Sequence, residues 1–364
     1  MFAFSCLPDL ILTFFRMTRQ RFNLNTISRF VVSFLMLFMV LAACNPPGNT
    51  PRVVVYVTVD QVYSEPVLKA FEKQTGIQVL AVYDIEATKT TGLVNRLVAE
   101  SSRPQADVFW GNEFAQTLLL KEKGILTPYT PKGSENLPRS LVDSGGTWTG
   151  FGGRARILLV NSGLIEPSRA PGSLLQLASG TTPTARVGIS QPMFGTAATH
   201  AAALYASIGR DAAREYYRRL FDSGVRVLDG NSVVRDLVAS GELTIGMTDT
   251  DDACVAIQEG KPVQMVFLDQ EPGGLGTLLI PNTVAMIKGA PHPQQAQQLL
   301  DYLVSPETED MLVQSGSIQV STRPTKIQNP CSIPDDLLLM DVDYEMIYQS
   351  LLQAQEDLRK IFIR

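Results

Sequence analysis

Three aspartates fall within four residues in the run GMTDTDDACVA, Gly246 to Ala256. Carboxylates this close suit three uses: holding a hard cation through oxygen donors, sharing protons as an acid/base pair, or complementing the positive end of a helix. The last needs no ligand, since Asp249 or Thr250 would cap a helix whose first turn holds Asp251 and Asp252. An acid/base enzyme would need a partner nucleophile or a complete motif beside them. Neither is present. The only histidines are His200 and His292, and there is no helical zinc-protease motif and no Gly-x-Ser-x-Gly elbow. GFGGRA, Gly150 to Ala155, fits a dinucleotide-binding glycine pattern, but a strand-like run follows it instead of a helix. His200 lies in THAAALYA, on what reads as a packed helix, and a structural role is expected for it. The chain is therefore expected to bind rather than catalyse.

Two segments suit an anion. In PMFGTAATHAAALYA, Gly195 permits close backbone approach and Thr196 can cap a helix, leaving the N–H groups of Thr196, Ala197 and Ala198 pointing outward. A capped helix without a ligand would look the same. In GNSVVRDLVASGE, Asn231 or Ser232 would cap a helix that buries Val233, Val234, Leu237 and Val238. Arg154, after Gly152 and Gly153 at the head of a strand, is a candidate fork for an oxyanion.

These residues need a scaffold, and the chain supplies β-branched runs alternating with amphipathic stretches. That pattern predicts an α/β fold of mostly parallel sheets flanked by helices. VVVYVTV (53–59) is a strand, followed by a helix with Ser64 as N-cap and Gly76 as stop. IQVLAVY, ADVFWG, RVGIS, VRVLD, LTIGM and VQMVF read as further strands, with helices over 196–208, 211–222, 231–240 and 251–259. GTLLIPNTVAMI, Gly276 to Ile287, contains Pro281 and reads as a connector between two bodies rather than as a central strand. Two helices and a C-terminal one follow. The expected organisation is two lobes with a ligand cleft between them: 52–150, to which about 283–318 returns, and 151–276, on which about 319–364 packs.

The first 43 residues read as a leader. Arg16, Arg19, Arg21 and Arg29 precede the apolar run VVSFLMLFMVLAA, which is too short for a span of roughly 20 residues. LAAC, Leu41 to Cys44, resembles the lipobox of bacterial lipoproteins, which implies lipidation of Cys44 and a globular body hung in the cell envelope, periplasmic, on the tether 44–51. MFAFSCLPDLILTFFR fits such a leader poorly, so Met17 is an alternative start. Without residues 1–43 the chain carries 27 basic against 35 acidic side chains, and this acidic balance argues against nucleic acid as partner. Of the remaining cysteines, Cys254 and Cys331 either pair in an oxidising compartment or, as for any small apolar side chain, Cys254 is simply buried.

VVVYVTVDQ, FEKQTGIQV, GLVNRLVAE, ADVFWGNE, GRARILLVN, GTAATHAA and NSVVRDLVASGE together resemble the periplasmic ferric-iron-binding proteins of ABC transporters, in order and spacing over residues 52 to 320. The resemblance implies a two-lobed periplasmic-binding-protein fold that closes on a ligand and delivers it, as a monomer, to a membrane permease. It places Arg154, Gly195, Thr196 and Asn231 at anion-binding positions, with carbonate or phosphate as the anion beside Fe3+. Asp251 and Asp252 stand where the relatives carry a tyrosine pair; Asn112 or Glu113 stands at the metal-binding glutamate, and Asp60 or Gln61 at the first-lobe histidine. Without the two phenolates, no charge-transfer colour is expected with ferric ion. The same acidic cleft facing an anion site would also suit a zwitterion such as 2-aminoethylphosphonate, or another small solute such as thiamine or a polyamine.

Overall fold

The computed structural model describes residues 50–84, 92–179, 186–331 and 333–363. The leader, Cys44 and the tether as far as residue 49 lie outside the described residues. Among those described, no helix is long and apolar enough to cross a membrane.

The chain opens with β1 (Arg52–Val57), α1 (Gln61–Thr75), β2 (Gln78–Tyr83), α2 (Gly92–Ala99), β3 (Val108–Gly111), α3 (Phe114–Glu122) and the short β4 (Leu126–Thr127). A long strand, β5 (Thr149–Asn161), leads to α4 (Leu174–Ala178), β6 (Val187–Ser190), α5 (Gly195–Ile208), α6 (Arg210–Asp222), β7 (Arg226–Leu228), α7 (Asn231–Ala239), β8 (Ile245–Asp249), α8 (Thr250–Gln258) and β9 (Val263–Val266). The last elements are β10 (Leu279–Ile287), α9 (Pro293–Leu303), α10 (Pro306–Ser315) and α11 (Tyr344–Phe362).

The strands run β2-β1-β3-β10-β5-β8-β6-β7, with β4 on β10 and β9 on β5. The parallel expectation holds for β2-β1-β3 and for β8-β6-β7, whereas β10 is antiparallel to β3 and β5, and β5 is antiparallel to β8 and β9. Each half of the sheet is thus mixed. β5 belongs to both: Thr149–Ala155 pairs with β10, and Arg156–Val160 with β8. One strand therefore carries the chain from one half into the other. A single buried run with no charge before Arg154 explains its length, since twelve of its thirteen residues are buried.

Two sequence expectations need correction. Leu279–Ile287 is a central strand between β3 and β5, not a mere connector, and Pro281 is tolerated because the register shifts between Pro281 and Asn282. The first helix starts at Gln61 with Asp60 at the N-cap position, and Ser64 lies inside it, donating its hydroxyl to the carbonyls of Val59 and Asp60. Gly76 ends that helix in the left-handed conformation, as the sequence indicated. Cys254 and Cys331 form a disulfide, and both are also buried.

After α10 the chain returns to β5 at Gly153. Its N–H donates to Val320 O, and its carbonyl accepts from the N–H groups of Gln319 and Val320. The chain then runs to α11, which touches both halves. Its N-terminal end meets α3 through the ring of Tyr344 on Phe114, 4.7 Å between centroids, the Tyr348 hydroxyl on Glu122, and the Lys121–Glu345 ion pair. Its C-terminal end packs on α5 and α6, where Asp357 accepts from Arg210 and Phe362 stacks edge-on against Phe221.

At Gly153 a Cβ would sit 2.1 Å from Ile280 O and 2.8 Å from Ile280 C, both backbone atoms that cannot swing aside. Gly153→Ala is expected to lower the unfolding free energy by about 1–3 kcal/mol or more, read from the urea midpoint; an unchanged midpoint would show that the sheet tolerates separation of β5 and β10.

Candidate functional site

The aspartate run spans the junction of β8 and α8. Asp249 takes the N-cap position with extended backbone, and Asp251 and Asp252 lie in the first turn. The helix start foreseen for this run is therefore present, but Asp249 makes no side-chain cap. Its carboxylate is turned inward instead. Asp249 accepts from Arg156 Nη1 at 2.7 Å, from the Thr196 hydroxyl at 2.6 Å and from Asn231 Nδ2 at 2.8 Å. Asn231 Oδ1 in turn accepts from Ser190 at 2.6 Å and from Arg156 at 3.1 Å. Strand β5 brings Arg156, the first turns of α5 and α7 bring Thr196 and Asn231, and β6 ends at Ser190. All meet where the strands of this half end.

This closed network changes the role of two candidate anion ligands. The side chains of Thr196 and Asn231 are committed to Asp249, and the N-cap positions of their helices are Phe194 and Gly230. Gly195 begins α5 with φ 52°, a conformation that favours glycine. The Ala198 N–H bonds Phe194 O and so does not point outward, and Ala197 is buried.

Arg154, two residues before Arg156 on the same strand, has the opposite character. Its Nε lies 3.6 Å from Asp249 and 4.0 Å from Asp251, and it makes no hydrogen bond although it is shielded from solvent. Burial alone would weaken its proton affinity, but Asp251, Asp249 and Glu113 outweigh that and raise it. Arg154 stands between two cavities. One, of about 210 Å³, is lined by Asp251 and Asp252 from one half of the sheet and by Asp60, Tyr63 and Asn112 from the other. The other, about 1220 Å³, holds Glu113, Gly195 and Thr196 between α3 and α11. Arg154 and Asn112 line both. The structure thus brings Asp60, Asn112, Arg154, Asp251 and Asp252 together, and leaves Glu113 and the start of α5 on the far side of Arg154.

The acidic pair is electrostatically unequal. Asp252, with its side chain 16% exposed, accepts from Thr248 and lies 3.5 Å from Arg235 Nη1. Burial, then the charges of Asp251 and Asp249, push its pKa up to about 7. Asp251 is also raised by burial, but Arg154 opposes the shift, and its 45% exposure lets cleft water screen it. Glu113 is raised by burial and is engaged by the Thr199 hydroxyl and the Ala115 N–H. Burial, then the charge of Arg156, lowers His200 to about 3, so its ring is neutral and its role structural. His292 faces buried Asp107, far along the chain from these residues.

Carboxylate oxygens of Asp249, Asp251 and Asp252 lie within 4.8 Å of one another, close enough to share a cation. Asp249 is engaged by three donors and does not line the cavity, so the carboxylates that line it from this half are Asp251 and Asp252, with Asp60 and Tyr63 opposite. Arg156, Ser190 and Tyr63 were not among the candidates read from sequence. Tyr63 stands three residues after Asp60, the N-cap of α1, a spacing that puts both on one side of the helix start; for Arg156 and Ser190 the sequence carries no such sign.

Asp252 yields a pH test with a definite sign. Between roughly pH 4, the unfolded value, and pH 7, the native state keeps a proton that the unfolded chain has released, so the stability of the ligand-free protein falls as pH rises through that window. Asp252→Asn should remove this cost and raise stability at pH 8 by at least about 1 kcal/mol, the worth of one pKa unit. Thermal melts across pH 5 to 8 check it; a wild-type profile that does not fall, or a variant no more stable, contradicts it.

The sequence signature of bacterial extracellular solute-binding proteins matches residues 67–328. The iron uptake protein A1 of Synechocystis is 25% identical over 282 residues, 74% of this chain and 76% of that protein. A putative 2-aminoethylphosphonate-binding periplasmic protein of Salmonella typhimurium is 24% identical over 289 residues, 76% of this chain and 81% of that protein. Among solved structures, FutA (IdiA) of Trichodesmium, in complex with iron and citrate, superposes with a TM-score of 0.74 at 20% identity, over 86% of this chain and all of that one. The fold is the two-lobed one of periplasmic binding proteins, and the chain belongs to the bacterial extracellular solute-binding proteins.

Proposed function

We propose that this protein is the receptor of an ABC importer, anchored in the cell envelope through a lipid on Cys44, which captures its ligand between the lobes and hands it to a permease without chemical change. The ligand we favour is ferric iron, or another hard metal cation, held together with a small anion such as carbonate or phosphate. The observation that carries this reading is the 210 Å³ cavity in which Asp251 and Asp252 face Asp60, Asn112 and Tyr63, with Arg154 at one wall. Hard oxygen donors from both lobes suit a small highly charged cation, and the space left over suits an accompanying anion on the guanidinium. Relatives named for iron uptake and ferric iron binding support it.

A second reading has its own support. Arg154 lies 4.0 Å from Asp251, so a guanidinium and a carboxylate already face the same space with opposite charge. A zwitterion such as 2-aminoethylphosphonate would place its phosphonate on Arg154 and its ammonium between Asp251 and Asp252, in keeping with the phosphonate-binding name of a relative. A melting-temperature screen of residues 45–364 with ferric salt plus bicarbonate, divalent metals, 2-aminoethylphosphonate, thiamine and putrescine separates the two, because a binder is stabilised by its own ligand alone.

Asp251→Asn combined with Asp252→Asn is expected to abolish binding of the stabilising ligand by calorimetry while the fold persists; unchanged affinity would remove these carboxylates from the site. Arg154→Ala should weaken the dependence of affinity on bicarbonate, phosphate or phosphonate, and an unaltered dependence would move the anion elsewhere. Tyr63 changes the expectation about colour. If ferric ion reaches its phenol, a visible charge-transfer band appears and is lost in Tyr63→Phe; a ferric complex that stays colourless excludes Tyr63 as a ligand.

A further inference from the structure

His200 takes no part in the ligand cavity, yet it is not an inert core residue. It is 4% exposed, as is Arg156, and both have a nitrogen with no hydrogen-bond partner among the described residues: Nδ1 of His200 and Nε of Arg156. Both side chains line the same small cavity, about 10 Å³, at the junction of β5, β8, α5 and the segment Leu268–Leu278, and Asp269 is its other charged lining residue. Leaving a buried donor unsatisfied costs about 1–3 kcal/mol, more for a charged group. A space of this size admits one water and little else.

We propose that a single buried water occupies this cavity, accepting a hydrogen bond from Arg156 Nε–H and donating one to Nδ1 of His200, so that His200 is a positioning residue for the guanidinium that holds Asp249. The hydrogen-bond roles follow from the inventory of donors. Arg156 Nε can only donate, so the water must accept from it and has its own hydrogens left to give. Nδ1 then has to be the unprotonated ring nitrogen, which fixes the proton on Nε2. The neutral ring required agrees with the depressed proton affinity that burial and Arg156 impose on His200. The water's second hydrogen has the Asp269 carboxylate as a lining acceptor; that group also accepts from the Leu174 N–H at 3.2 Å. Nη1 of Arg156 already serves Asp249, Asn231 and Thr196. Engaging Nε as well leaves the planar group no freedom to rotate away from Asp249. This inference does not depend on which solute the protein carries.

The test uses the full-length protein without added ligand. Nitrogen-15 spectra of labelled histidine are expected to show Nδ1 of His200 unprotonated and Nε2 protonated at neutral pH, and a high-resolution crystal structure to show one water within hydrogen-bond distance of Arg156 Nε and His200 Nδ1. Asparagine carries a polar atom near the position of Nδ1 and phenylalanine carries none. His200→Asn should therefore keep the water and the slow exchange of the Arg156 Nε–H, whereas His200→Phe should lose the water and exchange that hydrogen about tenfold faster, one net hydrogen bond. A protonated Nδ1, density showing the two side chains without a bridging water, or identical exchange in the Phe variant and the wild type would each overturn the proposal.

Discussion

The buried ion pair between Arg156 and Asp249 is the contact on which the rest of this site depends. Both side chains are only 3% exposed, so neither charge can be relieved by solvent. Removing one partner from such a pair typically costs about 3–5 kcal/mol, because the other is left charged and dry. Thr196, Asn231 and Ser190 complete the shell, tying the first turns of α5 and α7 and the end of β6 to the end of β8. The ends of these elements are thereby fixed relative to one another before any ligand arrives. Asp251 and Asp252 then project from a turn whose preceding residue cannot move.

That arrangement assigns different work to neighbouring residues of like charge. Asp249 is structural because three donors engage it and it does not line the cavity. Asp251 and Asp252, one and two residues beyond Thr250, have weaker partners and face the cavity. The two arginines divide in the same way: Arg156 is spent inside, and Arg154 is held at a distance from its nearest carboxylates. The cavity thus has charge of both signs fixed in its walls, the condition under which binding a charged group costs little reorganisation.

Much of the fold was legible in sequence. The alternation of β-branched runs and amphipathic stretches located the strands and helices that carry the site, because burial on both faces leaves no other periodicity. Leu279–Ile287 was harder. Proline argued against a central strand, and only the register shift at Pro281 shows how the ladder absorbs a missing donor. Around the cavity, Asp251, Asp252 and Arg154 were identifiable by residue type, whereas Asn112 and Asp60 were candidates only through the family resemblance; all five line one cavity. Arg156 was not singled out, since a guanidinium two residues further along a strand gives no sign in sequence of being buried. Thr196 and Asn231 were recognisable as polar groups at helix starts, but their commitment to Asp249 arises from three segments far apart in the chain.

The C-terminal helix gives the two halves a connection beyond the strand they share. A rigid rod of nineteen residues, fastened near Tyr344 to one half and near Asp357 and Phe362 to the other, does not stretch. The gap between α3 and the helices α5 and α6 is thereby held at a set width, and the large cavity that opens between α3 and α11 keeps one fixed wall.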